Sequence, residues 1–217
     1  FTAHRDLGIQ YFQLGHPSEE RPCEAIPHLR IGAEGSYDVY RQDPKSINHM
    51  INTVANYQML SAAQALCGNR EAIATAHLAS DIFNGDKKRI NWDLYWTLAF
   101  AQFHLGFPSE AEATLAQVPD PDFQILELQA DLASRKNNLD LARKLLTQAR
   151  TKRAPALGVK NFQRYMYAFQ QAQNISSALH LKDPTPGLRQ EGLNLLSIFP
   201  DTGVARSIIR LRNELKK

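Results

Sequence analysis

The chain has few cysteines, no long apolar run and little excess charge of either sign. Its two cysteines, Cys23 and Cys67, fall short of the four regularly spaced ligands of a structural zinc site, even with His28 near the first. No apolar stretch approaches the roughly 18 residues that cross a bilayer, so no transmembrane segment is expected. The net charge of +3 is too small to imply nucleic acid by itself. Seven histidines are scattered one to a segment, with no His-Glu-x-x-His pattern. Glycine-rich phosphate loops, Gly-x-Ser-x-Gly elbows and paired catalytic carboxylates are also missing. These absences predict a protein that is not an enzyme and carries no cofactor or metal. The chain opens at Phe1 without a signal-like apolar stretch, which reads as a processed chain or one piece of a larger one.

What is present is helix. Hydrophobic content of 43% is ordinary for a globular protein, and the eleven prolines and eleven glycines fall mostly between apolar-periodic segments. No segment alternates like a strand for more than a few residues. The periodicity predicts helices in pairs, over 2–14 and 23–37, then 44–66 and 70–83. Asp43-Pro44 reads as an N-cap followed by a proline in the first helical position. Further pairs are expected over 91–105 and 109–117, and over 122–135 and 139–152. A fifth is expected over 159–181, broken around Asn174, with two terminal helices over 188–198 and 202–215.

A small residue recurs at one structural place. Leu7, Gly8, Tyr11 and Gly15 are followed by Glu24-Ala25, Leu29 and Gly32. Tyr95, Leu98, Ala99 and Gly106 are likewise followed by Glu110-Ala111 and Leu115. An alanine falls near the start of each expected second helix, at Ala25, Ala72, Ala111, Ala142 and Ala178. A hairpin with one apolar stripe cannot bury it alone, so copies must stack. In this the chain resembles the tetratricopeptide-repeat family, with a loose period and an insertion over 16–21. The resemblance implies an all-α, right-handed α-solenoid of about five helical hairpins with a C-terminal capping helix. It would form a single array over 1–217, with repeats near 2–40, 44–84, 91–118, 122–153 and 159–181 and terminal helices over 188–217.

The resemblance also implies a function: a scaffold or adaptor that holds a protein or peptide in a groove lined by the first helices. The third copy would contribute Trp96, Phe100, Phe103 and His104, with Arg135, Lys160 and Tyr167 on the adjoining wall. Trp96 and Phe100 stand four apart and share a helical face, either as binding anchors or as core. The family's clamp for a terminal carboxylate is not implied, because Ile9, Met59 and Asp93 occupy the corresponding places. Two other readings stay open: the sensory or oligomerisation half of a larger regulator, and a helical domain that holds a small molecule. Direct nucleic-acid contact is not expected, since no helix-turn-helix, zinc-ligand or stacking motif accompanies the basic tail.

Charge is unevenly placed. Six acids and no Lys or Arg lie between Leu105 and Ser134, then nine bases against Asp140 alone between Arg135 and Arg164. The basic block reads as a solvated outer face, as a surface for an acidic partner, or as one half of a homo-oligomer contact. In stacked hairpins Cys23 and Cys67 would fall on one edge in adjacent repeats, close enough for a disulfide or left as two thiols. Reduced thiols fit a cytoplasmic protein; a bridge would mean a periplasmic or secreted one.

Overall fold

The structure is a computed structural model that describes residue 3 and residues 21–83, 92–158, 163–199 and 206–217. The expected helix over 2–14 lies outside the described residues. So does Lys160. The described residues are all-helical and contain no strand. They divide into two compact units, one within Arg21–Pro119 and one within Asp120–Lys217, where the sequence alone reads as a single array. The division falls at Pro119-Asp120-Pro121, where two prolines withhold the N–H groups that a continuous helix would need.

The first unit holds α1 (Pro22–Gln42), α2 (Ile47–Leu66), α3 (Glu71–Phe83), α4 (Trp92–His104) and α5 (Pro108–Leu115). Each packs on the next, and α4 also packs on α2. The cap of α2 is Ser46, whose side chain accepts from the His49 N–H at 3.3 Å; Asp43 instead closes α1. The expected Asp43-Pro44 cap is therefore displaced by three residues, because a serine hydroxyl just before the apolar run is the better acceptor for the first free N–H groups. Ala25, Leu29, Val54, Tyr57, Leu60 and Ala79 belong to its core.

The second unit holds α6 (Phe123–Arg135), α7 (Leu139–Arg153), a 3₁₀ turn (Ala154–Gly158), α8 (Gln163–His180), α9 (Leu188–Leu196) and α10 (Arg206–Lys216). Here α6 packs on α7, α7 on α8 and α8 on α9, with α10 laid across α8 and α9. The expected break at Asn174 does not occur: α8 runs through it, and the fifth hairpin pairs α8 with α9. Asn174 stays helical because its side chain bonds to other side chains rather than to its own backbone, as described below. Ala178 accordingly lies near the end of a first helix and not at the start of a second.

Four hairpin turns share one geometry. Gly68, Gly106, Asn137 and Lys182 all have φ between 58° and 88°. In each case the next residue donates its N–H to a carbonyl five residues back, at 2.8–3.0 Å: Asn69 to Gln64, Phe107 to Gln102, Asn138 to Ala133, Asp183 to Ala178. This is a Schellman closure, in which a left-handed residue lets the chain turn back and satisfies helix-end carbonyls. It supplies a register for comparing the hairpins. Counting seven residues back from each left-handed residue reaches Ser61, Ala99, Ala130 and Ile175, all at most 2% exposed. Small buried residues answer on the second helices: Ala72, Ala111 and Ala142, each 0% exposed, as is Ala25 on α1.

The fifth hairpin inverts the sizes. Its first helix offers Ile175, and its second helix answers with buried Gly192. A Cβ built on Gly192 would stand 3.3 Å from Ile175 Cγ2 and 2.9 Å from Leu215 Cδ1. Gly192→Val should therefore destabilise the second unit by about 1–3 kcal/mol through overpacking. An unchanged urea midpoint by circular dichroism would refute this packing account.

Candidate functional site

Register from the shared turns defines one face on each first helix, at two, six and ten residues before the left-handed residue. On α4 the positions hold His104, Phe100 and Trp96; on α6 they hold Arg135, Asp131 and Glu127. On α2 they hold Leu66, Ala62 and Gln58, and on α8 they hold His180, Ser176 and Ala172. Among the described first helices, only α4 places Trp and Phe on this face, and only α6 makes it wholly charged.

The α4 residues form a continuous ladder. The Trp96 and Phe100 rings stack with centroids 4.8 Å apart and planes 30° apart. Phe100 and His104 follow at 4.2 Å. Trp96 and Phe100 are half-buried and His104 is exposed. Phe100 rests on Ala65 and Ala101, small residues that let a flat ring lie against the helix surface. Phe103, expected on the same surface, is only 4% exposed and meets His104 edge-on at 5.2 Å. One position out of the ladder's register turns its ring into the core, so it supports the face without presenting itself.

The remaining expected residues belong to the second unit and are described there. Arg135 is exposed at the end of α6. Tyr167 is half-buried and packs edge-on against Phe123, with centroids 5.9 Å apart. Phe123 in turn lies under the Arg153 guanidinium, 4.5 Å from its carbon to the ring centroid. Tyr167 thus buttresses an internal contact.

That contact is part of a buried polar network that the sequence reading passed over. Arg153 is 0% exposed. Its Nη1 donates to Glu127 Oε1 at 2.6 Å and to Gln171 Oε1 at 3.3 Å, and its Nη2 donates to Glu127 Oε2. Asn174 Nδ2 donates to Glu127 Oε1 at 2.8 Å, while its Oδ1 accepts from Arg150 Nη1 at 3.1 Å. Arg150, 8% exposed, also pairs with Asp183 at 3.2 Å. Burial alone pushes the Asp183 carboxyl up, but hydrogen bonds from Thr185 and Arg150, with Arg150's charge, outweigh it and hold the group below its ordinary range.

The basic block is therefore not uniformly a solvated face, since Arg150 and Arg153 are core residues. The signal was in the register. Ala142, Leu146, Ala149, Arg150 and Arg153 are the buried residues of α7, at the spacing of one apolar stripe whose last places are arginines.

Beside the network, Asp131 reaches solvent but is crowded by protein on its other sides. Burial, and then the negative charge of Glu127, push its carboxyl from 3.8 to about 6, against the lowering effect of Arg135. A raised folded-state pKa means that the folded protein binds the proton more tightly than the unfolded chain does. The resulting stabilisation is complete below about pH 4 and is lost as the pH rises through about 6. Asp131→Asn should remove this slope and raise stability at neutral pH. Parallel pH profiles of the two proteins' unfolding midpoints would contradict it.

Cys23 and Cys67 form a disulfide, with Cα atoms 5.5 Å apart, joining the first turn of α1 to the end of α2. Among the described residues no three His, Cys, Asp or Glu side chains gather as a metal site, and no helix is long and apolar enough to cross a membrane. No family model, curated protein or solved structure matches the chain.

Proposed function

We propose that this chain is a non-enzymatic helical-repeat module of the tetratricopeptide type, which docks a segment of a partner protein on the aromatic face of α4. The observation that carries the reading is the Trp96–Phe100–His104 ladder. Trp96, Phe100 and His104 follow one another along one face of α4, the first two partly buried and His104 exposed, where the corresponding positions of α2, α6 and α8 hold no Trp or Phe. Rigid aromatic side chains give up little entropy on contact and often dominate interface energies. The shared turn geometry supports the repeat reading, because the same closure and small-residue register recur within both units. The Cys23–Cys67 bridge favours an oxidising compartment, periplasmic or extracellular, over the cytoplasmic placement.

The test is a random peptide library selected on the intact protein, followed by affinity measurement on substituted forms. Phe100→Ala should weaken the selected peptides by about 2 kcal/mol or more, as for a desolvated anchor. If Phe100→Ala leaves affinity unchanged while the melting temperature collapses, the ladder is core and the docking surface lies elsewhere.

A further inference from the structure

We infer that the Cys23–Cys67 bridge is a thiol-exchange site with a fixed direction: a small-molecule thiol is captured on Cys67 as a mixed disulfide while Cys23 leaves as a thiolate. The first observation is where the two sulfurs sit. Cys23 is the second residue of α1, and Cys67 is the C-cap of α2. One sulfur therefore lies at the positive end of a 21-residue helix and the other at the negative end of a 20-residue helix. Negative charge is favoured on Cys23 and disfavoured on Cys67. The second observation is that α1 starts without a cap. Its N-cap residue, Arg21, forms no side-chain cap, and an arginine side chain has no acceptor to offer. Pro22 has no N–H, and the first N–H that returns to a carbonyl is that of Ala25, to Arg21 O at 3.0 Å. The N–H groups of Cys23 and Glu24 thus face out of the helix end, where they favour an anion. Glu24, the acid of this turn, is paired with Arg21 at 3.0 Å. At Cys67 the turn is closed instead: its N–H donates to Ala63 O at 3.2 Å and to Gln64 O at 3.1 Å.

The third observation is access. Cys23 is exposed, and Cys67 is half-buried between exposed Leu66 and Gly68. Neither sulfur is sealed in the core. Ala25, Leu29 and Ala33 of α1 share a separate core with Val54 and Leu60 of α2, so the bridge opens at one edge while that core stays packed. In the exchange a small thiolate attacks Cys67 Sγ. A sulfur–sulfur bond forms there, the bond to Cys23 breaks, and its electron pair leaves on Cys23 Sγ. The incoming sulfur is oxidised, the Cys23 sulfur is reduced, and the proton of the small thiol passes to solvent. Exchange is faster when the departing thiolate is the better stabilised of the two, which selects Cys23 as the leaving group. The product frees the start of α1 from the turn between α2 and α3, so the bridge acts as a clasp that a thiol unfastens.

The experiment mixes the intact oxidised protein with glutathione and stops the reaction within seconds by excess N-ethylmaleimide. Mass spectrometry of the cysteine peptides then counts the two singly opened products. Glutathione on Cys67 with maleimide on Cys23 should exceed the reverse product by about threefold or more, the combined effect of the two helix ends. Equal amounts, or an excess of glutathione on Cys23, overturn the direction. If no mixed disulfide forms until urea is added, the bridge is a closed staple and the inference falls. Single substitutions give an independent reading. The thiol left in Cys67→Ser should react with 4,4′-dithiodipyridine at neutral pH about threefold or more faster than the thiol left in Cys23→Ser. In urea the two rates should converge, because the helix ends are gone. Equal rates in the folded variants, or a difference that persists in urea, overturn the assignment to the helix ends. Should either variant unfold, the glutathione products of the unsubstituted protein decide alone.

Discussion

Glu127→Gln should cost the second unit about 3–5 kcal/mol of stability, the price of leaving a buried guanidinium without its counter-charge. Arg153 has no solvent to fall back on, and its Nε is already buried without a partner. Removing the carboxylate also strips an acceptor from Asn174, which links the pair to Arg150 and Asp183. Losing one partner of such a pair is much worse than losing both. The double variant Glu127→Leu with Arg153→Met should therefore recover most of the loss, because hydrophobic isosteres of a buried ion pair are often neutral or stabilising. Urea unfolding followed by circular dichroism decides the order of the three proteins. A single variant no less stable than the double one would show that Arg153 finds water or another partner, and would remove the network from the account of the core.

Reduction of the Cys23–Cys67 bridge should have a comparable effect on the other unit. The bridge spans 44 residues, and the chain-entropy treatment of a loop that long gives about 4 kcal/mol. The bridge fastens α1 to α2 at one edge, so its loss should release α1 first. Both tryptophans, Trp92 and Trp96, lie on α4 of the first unit, so their fluorescence reports the unit that carries the bridge. Paired Cys23→Ser and Cys67→Ser substitutions should lower the urea midpoint seen by tryptophan fluorescence. The second unit's share of the circular dichroism transition should stay where it was. Coincident midpoints for oxidised and substituted protein would show that packing alone holds α1, and would remove the stability argument for an oxidising compartment.

Much of the helical framework was legible because its signals are local. Apolar spacing marked α6 and α7 to within a residue or so, and Ala111 and Ala142 are buried at hairpin contacts. The errors were also local in appearance and tertiary in cause. Asp43-Pro44 looks like a helix start, yet Ser46 stands nearer the apolar run. Asn174 looks like a break, yet Glu127 and Arg150 employ its side chain and leave its backbone helical. Gly192 carried no alanine signature, because the matching position on α8 holds the bulk of Ile175 and the pair conserves volume rather than residue type.

The sequence by itself determined that the chain is helical, where most helices begin and end, and which small residues bring them together. Those properties depend on capping groups and on a 3.6-residue period, which act over one or two turns. Only the tertiary structure decided which charges leave water. Arg150 and Arg153 continue the apolar register of α7, but they became core residues only because α6 and α8 bring Glu127, Gln171 and Asn174 to meet them. The same holds for the cysteines, paired across 44 residues, and for Phe103, which lies one residue from His104 and faces the core. Burial and pairing are long-range properties: the free energy of a charge or a ring depends on what surrounds it in space, and only the packed chain supplies those neighbours.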